Sequence, residues 1–381
     1  MEVILKECKT YNDNVLTKQI TSALNALHFD FSRFYNAKVA IKPNLLTSTA
    51  PEAAVVTHPL FFRAIVHVIK QHGGIPILVE SPAVHSLQRV MKKVGYDAIV
   101  ADEDIQVADT SDYIVIHNEN ARQFKYFEVP KIFTECDIII NLPKFKTHAL
   151  TYITCAVKNL FGTIHGMKKS QWHIKAKTKS EFSEMLLDLY EAYITDSSLP
   201  KTIIHIVDAI TILEGDGPGL NGNPKFMGII GASYNAIAVD YALSKIAGFT
   251  IDEIPTITMG MKRNICAVSD AITIVKDAAI ENNYNCIPPK ESGSQSILSI
   301  SIVNRLLKNM IIAKPLPDDN KCTLCYQCKQ ICPAKAISIA KNGKKIPNYN
   351  YSKCIRCYCC MEICPESAIS LSQPWLQKLM R

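Results

Sequence analysis

The sequence predicts an α/β fold with a mainly parallel sheet flanked by helices, followed by a small C-terminal α+β unit built on a cysteine repeat. Three observations carry this. Short apolar runs alternate with amphipathic stretches from residue 1 to about 313, the pattern of strands and helices taken in turn. The apolar runs are rich in Ile and Val on both faces, as buried parallel strands are. Near the C-terminus, eight of the fourteen cysteines form two copies of one tight spacing, with Cys359 inside the second.

Val39–Ile41, Ile75–Val79, Asp137–Leu142, Ile203–Val207 and Gly228–Ile230 read as buried parallel strands. Val15–Leu27, Leu60–Gln71, Val84–Val94, Tyr152–Leu160, Phe182–Tyr193 and Ala236–Ala247 read as helices between them. Gly73, Gly95, Gly162 and Gly248 follow four of these and suit helix C-termini. The stretch Ile287–Asn320 holds Pro-Pro, Ser/Gly-rich and Pro-x-Pro pieces, so the domain boundary is placed around 314–320, giving domains 1–313 and 314–381. Hydrophobic residues make up 48% of the 381, enough for a sizeable core. No apolar run reaches the roughly 18 residues of a membrane span. The N-terminus lacks the apolar and basic regions of a signal peptide. A cytoplasmic protein without a membrane partner is expected.

In a reducing compartment, grouped cysteines mean metal more often than disulfide. Residues 322–339 and 354–371 align at an offset of 32 with ten of eighteen positions identical. Each copy holds C-x2-C-x2-C-x3-C-P, the bacterial ferredoxin run, in which the fourth cysteine ligates the other cluster. Cysteines at such gaps curl the backbone round one corner of a cubane. Loop amides can then point at its sulfurs. Asn342-Gly343 offers a turn between the copies. Residues 318–371 resemble the two-cluster ferredoxin family. That resemblance implies two [4Fe–4S] clusters, one held by Cys322, Cys325, Cys328 and Cys364 and the other by Cys354, Cys357, Cys360 and Cys332. Cys359 stands where the first copy has Gln327 and is not an expected ligand. Residues 318–381 carry a formal +6. Eight thiolates and two oxidised clusters would leave it near +2 on that count, which suits an acidic redox partner protein.

Ligands of open α/β sheets bind outside the carboxyl ends of the strands. The residues after four strands are Lys42-Pro43-Asn44, Glu80-Ser81-Pro82, Lys144-Phe145-Lys146-Thr147-His148 on a loop, and Asp208 with Glu214. Lys158 and Asn159 stand near a helix end, and Gly217–Gly222 reads as a turn-rich wall rather than a nucleotide loop. His165, Trp172 and His173 could add to a pocket, whereas Cys136 and Cys155 read as buried small hydrophobes. The segments IKPN (41–44), NLPKFKTH (141–148), VKNLFG (157–162) and VDAITILEGDGPG (207–219) resemble the family catalogued as domain of unknown function 362. That family is often fused to ferredoxin modules, occurs largely in anaerobes and has no settled chemistry. It is also distantly similar to nickel-dependent lactate racemases.

Between Asn141 and Lys179 lie eight lysines, three histidines and no acidic residue, which points to an anionic ligand. No nucleic-acid motif appears, so nucleic acid is not the expected partner. The leading expectation is an iron–sulfur oxidoreductase passing low-potential electrons to a small anionic substrate or cofactor. Lys42, Asn44, Lys144, Lys146, Lys158 and Asn159 would bind it, and His148, Asp208 or Glu214 would handle protons. The alternatives are an electron-transfer or docking subunit of a larger enzyme, and a non-redox isomerase or racemase with accessory clusters. Lys42, Lys144, Lys146 and His148 are expected to meet at one sheet edge, with Glu80, Asp208 and Glu214 offsetting their charge.

Overall fold

The computed structural model describes residues 1–166, 168–290, 312–341 and 343–372. Asn342 of the expected turn and the Ser/Gly-rich piece at 291–295 lie outside the described residues. In chain order the large domain runs β1 (Glu2–Glu7), α1 (Asp13–Ala26), β2 (Lys38–Pro43), α2 (Pro59–Gln71), β3 (Ile75–Leu78), α3 (Leu87–Val94), α4 (Tyr96–Asp102) and β4 (Gln106–Val107). A ribbon follows, β5 (Tyr113–His117) with β6 (Tyr126–Pro130), then β7 (Ile138–Leu142), β8 (Lys144–His148), β9 (Tyr152–Thr154), α5 (Ala156–Leu160), α6 (Lys168–Lys175) and α7 (Lys179–Thr195). The domain closes with β10 (Thr202–Gly215), β11 (Gly222–Ser233), α8 (Ala236–Ala247), α9 (Pro255–Lys262) and β12 (Thr273–Lys276).

One sheet has ten strands in the order β12-β1-β11-β10-β7-β2-β3-β4, with β8 and β9 branching from β10. From β10 to β4 every neighbour is parallel. Successive residues of a strand face opposite sides, and here each side has its own core. Val39, Ile41, Ile138 and Ile140 join Leu16, Phe61 and Ile65 of α1 and α2. Ala40 and Ile139 join Leu186, Leu189, Val239 and Leu243 of α7 and α8. The covering helices are capped locally. Asn12 accepts from Val15, Thr178 and Glu181 form a capping box, and Asn235 accepts from Ala238. Gly95 and Gly248 end α3 and α8 in left-handed backbone, at φ 92° and 88°.

Four local expectations are corrected. The strand around Gly228–Ile230 is antiparallel, because a short connection joins β10 directly to β11 and such neighbours must run in opposite directions. The Lys-x-Lys-x-His run is not a loop but β8, paired with β9 and β10. Tyr152–Leu160 splits into β9 and α5. The aromatic and β-branched Tyr-Ile-Thr pairs with β8, and the Asp240 carboxylate accepts from Ala156 N and Val157 N at 2.7 and 3.2 Å to start the helix. Helix α3 starts at Leu87, where Ser86 caps it, which leaves Glu80–His85 as a loop over the sheet edge.

The small unit pairs β13 (Pro315–Pro317) with β16 (Ile369–Leu371), and β14 (Ile337–Ser338) with β15 (Asn348–Tyr349). Helices Gln327–Ile331 and Cys359–Glu362 lie between these pairs. The internal repeat is visible in the backbone. Left-handed residues recur in pairs, Leu324 with Arg356, Tyr326 with Tyr358 and Lys335 with Ser367, each pair separated by the 32-residue offset of the repeat. Among the described residues no helix is long and apolar enough to cross a membrane.

Candidate functional site

Lys42 ends β2 beside Asn141 of β7. Its ammonium, fully buried, donates to Glu80 Oε2 at 2.8 Å and to the Pro43 carbonyl at 2.6 Å. Glu80 also accepts from Leu45 N and Ser81 N, at 3.1 and 2.8 Å. The backbone of Gly162 lies against this pair. That contact explains the glycine better than a helix C-terminus, since its φ is not positive. A Cβ there would fall 2.7 Å from Lys42 Nζ and 3.3 Å from Glu80 Oε1. Lys42 is pinned by both its partners and cannot swing away. Gly162→Ala is therefore expected to cost about 1–3 kcal/mol, the usual range for overpacking. Urea unfolding followed by tryptophan fluorescence measures it, and an unchanged midpoint would show that Lys42 is free to move.

A second lysine anchors a chain of amides. Lys146 Nζ donates to Asn44 Oδ1 at 2.9 Å and to the Val55 carbonyl at 2.7 Å. Asn44 Nδ2 donates to Asn159 Oδ1 at 2.9 Å, and Asn159 Nδ2 to Asn141 Oδ1 at 2.8 Å. Asn141 Nδ2 then reaches His205 Nδ1 and the Ala156 carbonyl, both at 2.9 Å. All the amides point the same way, which strengthens each bond in a buried setting. Burial holds His205 neutral, its pKa pushed down to about 3. The three asparagines come from the three motifs IKPN, NLPKFKTH and VKNLFG.

Lys42, Lys146, Asn44 and Asn159 line one cavity of about 90 Å³, room for a few waters or a small anion. Lys158 of α5 and Lys169 of α6 enter from another side, and Ile331, Cys359, Glu362 and Ile363 of the small unit complete the wall. The cavity is thus a joint between the two units. Lys169 donates to the Ser81 carbonyl. Burial lowers the Lys146 pKa to about 7 and that of Lys169 to about 8; Glu362 opposes the first shift and Glu80 the second. Burial also lowers Lys158, which Glu362 and Cys359 pull back up. Two residues lining this cavity each bury a polar atom without a hydrogen bond, Thr154 Oγ1 and His173 Nδ1. His173 stacks on Phe182 at 4.3 Å, and burial keeps it neutral, with a pKa near 3.

The other expected residues sit elsewhere. Lys144 shares the edge but not the cavity. It donates to Asp208 Oδ2 and Tyr11 Oη, both at 2.9 Å, and Tyr11 donates to Asp208 Oδ1 at 2.8 Å. His58 stacks on Tyr11 at 3.7 Å, and burial lowers its pKa to about 4. His148 is 3% exposed, and its Nδ1 accepts from Leu150 N and Thr151 N at 2.9 and 3.4 Å. Its ring closes a turn, and burial drives its pKa well below the usual value. Neither His148 nor Asp208 lines the cavity, nor does Glu214, which accepts from Ile287 N at 2.8 Å and pairs with Lys225 at 3.3 Å. The Gly217–Gly222 wall faces the small unit. A Cβ on Gly219 would meet the Glu362 carbonyl at 3.0 Å, and Asn221 bonds to Ile369 O and Ser367 at 2.8 and 3.0 Å. His165 bonds the Thr110 carbonyl, Trp172 stacks on Phe127, and Cys136 and Cys155 are buried in the core. Sequence reasoning passed over Lys169, Thr154 and Glu362. Only Lys169 had a signal, its place in the acid-free basic run.

Inside the small unit are two further cavities. One is lined by Cys322, Cys325, Cys328 and Cys364, the other by Cys332, Cys354, Cys357 and Cys360, and Tyr349 borders both. Each set offers the four thiolate donors that a [4Fe–4S] cluster takes. Ala336 N and Ala368 N donate to Cys332 and Cys364 Sγ, each at 3.3 Å, the kind of amide–sulfur bond that tunes such sites. Among the described residues no three His, Cys, Asp or Glu side chains converge as on a single metal ion. Each set surrounds a space instead of meeting at a point, which fits a polynuclear group better than zinc. Cys359 lines neither cysteine cavity; it faces the lysines.

Comparison with known proteins agrees with this layout. The model of the domain of unknown function 362 family matches residues 39–245, and a 4Fe-4S dicluster domain matches residues 314–365. The ferredoxin-type match makes the chain an iron–sulfur protein with at least one [4Fe–4S] cluster. A thylakoid-associated protein of Synechocystis sp. is 30% identical over 250 residues, 64% of this chain and 75% of that protein. The lactate racemase apoprotein of Thermoanaerobacterium thermosaccharolyticum superposes with a TM-score of 0.34 at 17% identity. That match covers 54% of this chain and 51% of the racemase, so the chain spans about half the racemase's length. With its family model covering more than half its length, the chain belongs to the domain of unknown function 362 family.

Proposed function

We propose that this member of the domain of unknown function 362 family is a redox enzyme that passes low-potential electrons from two [4Fe–4S] clusters to an anionic substrate held between its two units. One observation carries the reading: the lysine-lined cavity shares a wall with helix Cys359–Glu362, which begins between Cys357 and Cys360 of one cysteine set. The clusters, when bound, supply the electrons. Everything else falls to the chain's own side chains. Lys158 and Lys146 attract and orient the anion, and the amide chain behind Asn44 holds Lys146 still. Leu45, Phe161, Ile331 and Ile363 keep water out. Lys146 and Lys169, with pKa values of about 7 and 8, can hold or give up a proton near neutral pH. A redox partner protein would reload the clusters.

The test is anaerobic. The protein is reduced with dithionite, freed of excess reductant, and mixed with small phosphates and carboxylates one at a time while cluster absorbance is followed. At least one compound is expected to speed reoxidation in the wild type and not in Lys158→Gln, with equal iron in both. Reoxidation indifferent to every anion, together with stable co-purification of a larger enzyme, would mean that the chain only relays electrons.

A further inference from the structure

We infer that the ligand of the joint cavity is a small dianion and that it binds together with a proton. The inference rests on reading the cavity as the substrate site. Four ammonium groups line it, Lys42, Lys146, Lys158 and Lys169, against the carboxylates Glu80 and Glu362. Lys42 and Glu80 neutralise each other at 2.8 Å. In their protonated forms three cations then face Glu362 alone, a formal excess of two positive charges over the lining residues. Glu362 attracts Lys146, Lys158 and Lys169 electrostatically, yet among the described residues it makes no ion pair with any of them. Like charges brought into a partly buried site are costly unless something offsets them. A ligand with two negative charges does so.

The recognition groups are ready. The Lys158 ammonium has no hydrogen-bond partner among the described residues. Thr154 and His173, 3% and 8% exposed, line the same cavity, and Thr154 Oγ1 and His173 Nδ1 are buried and unpaired. A buried polar atom without a partner costs stability, so these atoms mark where ligand oxygens or hydroxyls belong.

The proton follows from linkage. Lys146 faces Asn44 and the charges of Glu362, Lys158, Lys144 and Lys42; Lys169 faces Glu80, Lys42 and Glu362. With pKa values of about 7 and 8, both are partly neutral at pH 8. A bound anion favours the charged form, so binding at that pH takes up protons and affinity rises as pH falls.

The experiment is anaerobic calorimetry on the cluster-loaded full chain, with sulfate and malonate as dianionic probes and acetate as the monoanion. Sulfate does not titrate in this range, so any proton taken up belongs to the protein. One of the two dianions is expected to bind about tenfold or more tighter than acetate, as one added charge-assisted contact implies. A preference for sulfate points to a tetrahedral oxyanion, and one for malonate to a dicarboxylate. At pH 8 the binding heat should differ between buffers of unequal ionisation heat in the direction of proton uptake. Lys158→Gln should weaken the dianion about tenfold with unchanged iron, and Lys158→Arg should restore most of it. Equal affinity for acetate and the dianions, absence of dianion binding, or buffer-independent heats would overturn the inference. Dianion binding while cluster reoxidation stays indifferent to every anion tried keeps this inference and removes the redox reading. Reoxidation driven only by a monoanion does the reverse.

Discussion

The chain purified without oxygen is expected to hold about eight iron atoms and eight acid-labile sulfides, the content of two four-iron clusters. The two cysteine sets are interleaved in sequence, and this makes the expectation sharp. Cys332 lies in the first copy of the repeat but lines the cavity of Cys354, Cys357 and Cys360, and Cys364 lies in the second copy but lines the cavity of Cys322, Cys325 and Cys328. Cys332→Ser should therefore disturb the same paramagnetic signal as Cys360→Ser, and Cys364→Ser the same signal as Cys328→Ser, each losing up to about half the iron. Cys359→Ser should lose none, because that thiol faces the lysine cavity. Iron and sulfide assays with electron paramagnetic resonance of the reduced variants check this. Loss of iron in Cys359→Ser, or pairing of signals by sequence copy instead of by cavity, would rule out the assignment.

The cysteine sets were legible in the sequence because their spacing is itself geometry. The short gaps fix a backbone curl, and the left-handed residues that make it repeat with the same offset. The strand-end rule was informative for a related reason. Parallel strands end on one edge, so Lys42, Lys144, Lys146 and His148 were expected to meet there, and of these the structure brings Lys42 and Lys146 to one cavity, together with Asn44, Lys158 and Asn159. It could not separate Lys144 from Lys146. Both belong to β8, but the pairing with β10 slips between Asp208 and Leu213. One lysine therefore meets Asp208, and the other turns to Asn44. Such a slip is decided by packing across strands, which one segment does not encode. The start of α5 was hidden likewise, since its cap is Asp240, far along the chain. Glu362 is the clearest case. It stands between two cluster-type cysteines, and only the docking of the small unit brings it to the lysines.

The pair that left the cavity has the larger effect on stability. Asp208→Ala is expected to destabilise the large domain by about 3–5 kcal/mol, because removing one partner strands a buried charge. Lys144 and Asp208 are 1% and 0% exposed and 2.9 Å apart, so no water replaces the lost carboxylate. The same deletion deprives Tyr11 Oη, His58 N and Ile210 N of their acceptor. Against a typical domain stability of about 5–15 kcal/mol, this is a large fraction. Two controls separate the charge from the packing. Lys144→Met with Asp208→Leu removes both charges and should recover much of the loss, as replaced buried pairs do. The pH dependence supplies the second control. Burial already lowers the Lys144 pKa, and Asp208 is what pulls it back up. Without Asp208 the folded form sheds its proton at a lower pH, while the unfolded chain keeps it until about 10.4. Between those values the unfolded state binds more protons, so stability rises with pH. The deficit of Asp208→Ala should therefore shrink from pH 7 to pH 9, measured as the anaerobic urea midpoint by tryptophan fluorescence. A deficit that stays constant with pH would mean that lost hydrogen bonds, and not a stranded ammonium, account for it.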